Sequence, residues 1–116
     1  MKKFVTLLLC MLPVSLFAQV NDGIRQAMDN YDYETVVMLI EPDCQDSLLL
    51  ITKAQALKAM NRYPEAIGVL NSLILKDSTN TKVLIDLAEC YKLTGNSRRA
   101  ANCYQKAMNL QPENKF

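Results

Sequence analysis

The 116-residue chain contains no histidine and no tryptophan, and only three glycines. Without histidine there is no Ser-His-Asp or Cys-His catalytic pair and no imidazole ligand for a metal. Gly23, Gly68 and Gly95 stand too far apart for a GxGxxG turn or a GxxxxGK[ST] loop, which excludes those phosphate cradles. No two of the four cysteines are spaced as CxxC. An excess of charge is missing too. Thirteen basic residues face twelve acidic ones, for a formal charge of +1. Such a balance leaves no electrostatic footprint for nucleic acid or an anionic membrane surface. The expectation is a chain without catalytic residue, cofactor or metal, and not an enzyme. Acidic pairs such as Asp29 with Asp32 and Glu41 with Asp43 read as solvated polar loops.

One long apolar run is present, and it opens the chain. In MKKFVTLLLCMLPVSLFAQ two lysines precede the run from Phe4 to Ala18, and Gln19 ends it. This is the layout of a secretory signal peptide over residues 1–18, with the cut after Ala18. A membrane anchor is the competing reading, but a run broken by Pro13 falls short of the ~20 residues needed to span a bilayer. A lipoprotein signal acylated at Cys10 would need a small residue before it, and Leu9 stands there. Without Lys2 and Lys3, eleven basic residues face the same twelve acidic ones, and the formal charge becomes −1. No membrane association is expected after cleavage. Cys44, Cys90 and Cys103 remain, an odd count that allows one disulfide and a free thiol, or three free thiols.

The rest of the chain repeats itself. YPEAIGVLNSLILKDSTN (63–80) aligns with SRRAANCYQKAMNLQPEN (97–114) at an offset of 34 residues. Ala66 falls on Ala100, Leu70 on Tyr104 and Leu73 on Ala107. In the preceding halves Leu50 falls on Leu84, Ala54 on Ala88, Leu57 on Tyr91 and Asn61 on Gly95. Two antiparallel helices come close only where a side chain at the crossing is small, which is the role expected of Ala88 and Ala100, with Tyr91 and Tyr104 filling the space beside them. Gly95-Asn96 suits a tight turn with positive φ. Ser97 is placed to cap the helix after it. Pro112 would stop that helix, and Pro64 sits in a first turn, where its missing N–H does no harm.

A 34-residue period of two helices and a turn resembles the tetratricopeptide repeat. Leu84, Leu87-Ala88, Tyr91, Gly95, Ala100, Tyr104, Ala107 and Pro112 follow the family pattern through 81–114. Residues 47–80 follow it more loosely, with Lys53 where leucine is usual and Ser78 where proline is usual. The resemblance implies an all-α fold, an antiparallel helix-pair solenoid of about two and a half repeats after the signal peptide. Residues 19–46 read as a degenerate N-terminal repeat whose second helix is about one turn short, because Tyr33 precedes Tyr63 by 30 residues rather than 34. Residues 115–116 fall where a further repeat would begin. Ala107 is expected to let the last helix approach such a repeat, and the uncovered end after Leu110 reads as the edge of a longer array, with self-association or cover by a partner as the alternatives.

Function follows from the same resemblance. First helices of successive repeats line a concave groove in this family, which implies a non-catalytic module binding a protein, as a peptide or partner helix. The positions carried into that groove are Leu48, Ile51, Gln55, Lys58 and Ala59 from one repeat. Lys82, Ile85, Glu89, Lys92 and Leu93 come from the next. Family members that clamp a carboxylate use lysine and asparagine at positions that here hold Ile51, Gln55, Ile85 and Glu89, so that mode is not expected. The alternatives are a purely structural repeat segment, or the repeat region of a larger enzyme or envelope or glycan-handling complex. The ending Leu-Phe-Ala-Gln of the leader resembles signal peptides of Bacteroidetes and implies export to a Gram-negative periplasm or cell envelope. Cys90 and Cys103 lie at similar distances from the turn, which allows a disulfide; the other reading is two small buried side chains.

Overall fold

A computed structural model describes residues 20–110. The signal peptide expected over 1–18, the stop expected at Pro112 and the tail through 115–116 lie outside the described residues. Within them the fold is all-α, a tetratricopeptide-like helical solenoid. Helix α1 covers residues 20–29. It is followed by α2 (Tyr33–Leu39), α3 (Ser47–Ala59), α4 (Tyr63–Lys76), α5 (Thr81–Leu93) and α6 (Ser97–Leu110).

Helices α2 to α6 each start for a local reason. Asp32 caps α2, accepting from the Thr35 amide at 3.3 Å and its hydroxyl at 2.6 Å. Asp46 caps α3, accepting from the Leu48 amide at 2.9 Å. Asn80 caps α5 through the Val83 amide at 3.2 Å. No side chain caps α4, which instead carries Pro64 in its first turn. At α6 the capping group differs from the expected one. Asn96 accepts from the Arg99 amide at 3.2 Å, and Ser97 is already the first helical residue.

The turns inside the three helix pairs are copies of one another. Tyr31, Asn61 and Gly95 take positive φ of 58°, 62° and 83°. In each, the next residue's amide reaches back five residues: Asp32 to the Ala27 carbonyl, Arg62 to Leu57 and Asn96 to Tyr91, each at 2.8 Å. This double-bonded helix end satisfies carbonyls that would otherwise be left open.

Small residues sit where the helices cross. Ala54, Ala66 and Ala88 are fully buried and Ala100 nearly so. The main core joins them with Leu50, Leu57, Leu70, Leu73, Leu87 and Tyr91. A second, smaller cluster holds α1 and α2 together through Ile24, Ala27, Val36 and Ile40, and reaches α3 at Ala56. Helix α3 therefore buries opposite sides, Ala56 toward the first pair and Leu50, Ala54 and Leu57 toward the main core. Arg62 adds a surface tie, 3.1 Å from Glu34 on α2 and 2.6 Å from Glu65 on α4.

Two further expectations change, and a pair of alternative readings is decided. Helix α2 has seven residues against fourteen in α4 and α6, so it is shorter by about two turns rather than one. Ala107 is fully buried within the chain rather than held open for a following repeat. Of the two readings of Cys90 and Cys103, the structure has two small buried thiols rather than a disulfide. They point to different neighbours. Cys90 feels Lys58, Asp86 and Glu89, whereas Cys103 lines a hollow with Leu87 and Tyr91. Equal distance from a turn does not place two side chains on the same side of their helices.

Candidate interaction site

Helices α3 and α5, the first helices of successive pairs, meet through polar side chains. Lys58 on α3 donates to Asp86 at 3.3 Å and to Glu89 at 2.9 Å, both on α5. Gln55, one turn before Lys58, donates to the second Asp86 oxygen at 3.1 Å. The Lys58 and Asp86 side chains are only 17% and 13% exposed, while Glu89 keeps 46%. Burial alone would lower the Lys58 pKa. The Glu89 hydrogen bond and the Asp86 charge outweigh it and hold the ammonium above its ordinary value.

Of the ten positions expected in the groove, the structure joins Lys58 to Glu89 directly and links Gln55 to Lys58 only through their shared partner Asp86. Ile51 and Ile85 are half-buried, and Ile51 packs on the main core. Leu48, Ala59, Lys82, Lys92 and Leu93 are exposed, Leu48 at 75% and Leu93 at 59%. The side chains left open to a partner are thus the rim residues, over a floor that is already paired. Asp86, the acid at the centre of that floor, was not among the expected positions. Its signal is the separation of about one repeat less a turn between partners: Gln55 to Asp86 and Lys58 to Glu89 are both 31 residues apart.

The same arrangement offers little chemistry. The Cys90 and Cys103 thiols are both buried, and burial pushes both above the ordinary thiol value, so neither is a ready nucleophile. Cys44 is half-buried in the loop between α2 and α3. No group of three or more metal-ligating side chains occurs among the described residues. No helix among them is long and apolar enough to cross a membrane. At the far end of the fold Arg99 lies 5.7 Å from the centre of the Tyr91 ring, whose hydroxyl accepts from Asn71 at 3.3 Å. Met108 and Leu110 of α6 are 46% and 42% exposed.

Residues 81–114 match the family model described as "Tetratricopeptide repeat", so the α5–α6 pair is a repeat of that kind. The chain is also similar to the DnaJ homolog subfamily C member 7 homolog of Dictyostelium discoideum, at 35% identity over 86 residues. That alignment covers 72% of this chain and 16% of the relative, so the chain spans about a sixth of the protein it matches.

Proposed function

We propose that the chain is a non-catalytic adaptor that holds a peptide or partner helix on the α3–α5 face, and that it works in the periplasm or cell envelope. Tetratricopeptide repeats mediate protein–protein interaction, and the α5–α6 pair carries that pattern. The observation that carries the proposal for this chain is the paired floor. Lys58, Asp86 and Glu89 fix the spacing of α3 and α5 from within, which leaves Leu48, Lys82, Lys92 and Leu93 as a preset rim. A face that need not rearrange loses less entropy when a segment settles on it. The cellular location rests on the leader sequence alone.

A photo-crosslinking residue at Ile85 tests this, with Arg99 as the control on α6. Trapping of one defined protein from Ile85 and not from Arg99 is the expected outcome. Equal trapping at both positions, or none, would favour a structural repeat segment, a reading in which the Gln55–Lys58–Asp86–Glu89 network serves cohesion alone.

A further inference from the structure

Away from the α3–α5 face, the same helix–helix junction occurs twice, and the two copies differ. In the later copy Leu84, Leu87 and Tyr91 of α5 are covered by the back half of α4 through Asn71 and Ile74, leaving a hollow of about 200 Å³. In the earlier copy the residues 34 positions before them, Leu50, Lys53 and Leu57 of α3, line a hollow of about 400 Å³. The other wall corresponds as well. Cys103 and Asn102 of α6 line the later hollow, and Val69 and Gly68 of α4 line the earlier one. What differs is the cover. Helix α2 stops at Leu39, so the place taken by the back half of α4 in the later copy is covered by the loop residues Pro42, Cys44 and Gln45, with Cys44 packed on the main core.

The chemistry of the earlier hollow has changed with its cover. The buried Leu87 corresponds to Lys53, a half-buried lysine that makes no hydrogen bond or ion pair among the described residues. The carboxylate acting on it is Glu65, whose oxygens are already held by Arg62 at 2.6 and 2.8 Å. Lys76 brings a second ammonium to the rim, donating to the Gln45 carbonyl at 2.6 Å. The floor stays apolar through Leu50 and Leu57. Gly68 leaves its wall open, since a Cβ there would meet nothing within 4 Å.

We propose that this hollow between α3 and α4 is a docking site for an acidic, apolar helical segment of a partner protein, with a carboxylate set against Lys53. The helical form follows from the later copy, where a helix of the chain itself fills the corresponding place. The acidic character follows from the two ammonium groups and the one carboxylate already engaged. The surface is distinct from the α3–α5 face, and its occupancy does not depend on that of the groove.

The test uses ¹⁵N-labelled protein and a helix-stapled peptide of the α4 sequence 64–76 carrying Ile74→Glu, the position that faces Leu87 in the later copy. A matched peptide carrying Ile74→Lys is the control. The expected result is saturable shifts at Leu50, Lys53 and Gly68 with the glutamate peptide and not with the lysine peptide. Lys53→Glu in the protein should weaken binding about tenfold or more, the scale of one lost charge contact. Gly68→Gln should also block it while leaving the fold intact, because the new side chain enters open space. Equal binding of the two peptides would overturn the proposal, as would shifts centred on Ile85 or indifference to Lys53→Glu. Reproduction of the shifts by free succinate would overturn it as well, by making the hollow a small-anion site.

Discussion

The Lys58 ammonium and the Asp86 carboxylate lie 3.3 Å apart, 28 residues apart in sequence, with both side chains largely withdrawn from water. They join helices from two successive pairs. The energetic value of the contact lies less in the pair itself than in what its loss would leave. Lys58→Met would leave Asp86 and Glu89 facing each other without a cation. It should cost about 1–3 kcal/mol, less than the ~3–5 kcal/mol of breaking a fully buried pair, because Glu89 keeps nearly half its exposure to water. Asp86→Asn, which keeps the Gln55 contact in part, should cost less. A double-mutant cycle by urea denaturation should give a Lys58–Asp86 coupling above about 0.5 kcal/mol. A coupling near zero would mean the pair only decorates the interface.

The helix crossings give a second prediction. Ala100 is nearly buried against α5, while its neighbour Ala101 is exposed. Ala100→Leu should destabilise by about 1–3 kcal/mol through overpacking. Ala101→Leu should stay within about 0.5 kcal/mol of the parent, as surface changes do. Thermal melts of the two variants distinguish them, and equal losses would contradict the register described above.

Turn chemistry supplies a third. Tyr31 and Asn61 occupy the left-handed region that Gly95 occupies freely. Tyr31→Gly should therefore raise stability by up to about 1 kcal/mol, and Asn61→Gly by less, because asparagine tolerates this conformation better than tyrosine. Gly95→Ala should lower it by about 1 kcal/mol. The order of the three melting temperatures is the readout.

The thiols give a pH prediction. Burial raises the pKa of Cys90 and Cys103 in the folded chain above the ordinary value of 9.0. The unfolded chain loses these protons first, so their stabilising contribution is whole below pH 9.0 and is lost as pH rises above it. Lys58, also raised, loses its contribution as pH passes upward through its own higher folded value. Melting temperature should fall on the alkaline side, and Cys90→Ala together with Cys103→Ala should flatten the earlier part of that fall. In thiol labelling at neutral pH, mapped by mass spectrometry, Cys44 should react before either buried cysteine.

The parts of this fold that were legible in the sequence are those fixed by neighbours along the chain. Ala54 with Ala88 and Ala66 with Ala100 mark the crossings because close approach tolerates only a small side chain, whatever surrounds it. Gly95 marks its turn for a similar reason. The misplaced cap shows the limit of local reading: Asn96 and Ser97 are both good capping residues, and only the hydrogen bond to Arg99 decides between them. Asp86 was hidden for a different reason. It aligns with Thr52, and its partners are Lys58 and Gln55 on another helix, a relation that no repeat of residue types announces. The exposed Met38, at 82%, shows that a helical position alone does not imply burial, since most of α2 has no neighbour on its outer side.

Most of the buried side chains fall into two clusters rather than one, and α3 is common to both. The first helix pair is therefore held mainly at α3, where Ala56 meets Ile24, Ala27 and Val36, with Arg62 tied to Glu34 and with Val37 and the loop residue Cys44 touching the main core. A partial opening at this smaller cluster should cost less than one that breaks the larger cluster. Amides in α1 and α2 would then trade hydrogen with solvent through that partial opening, long before those of α5 and α6.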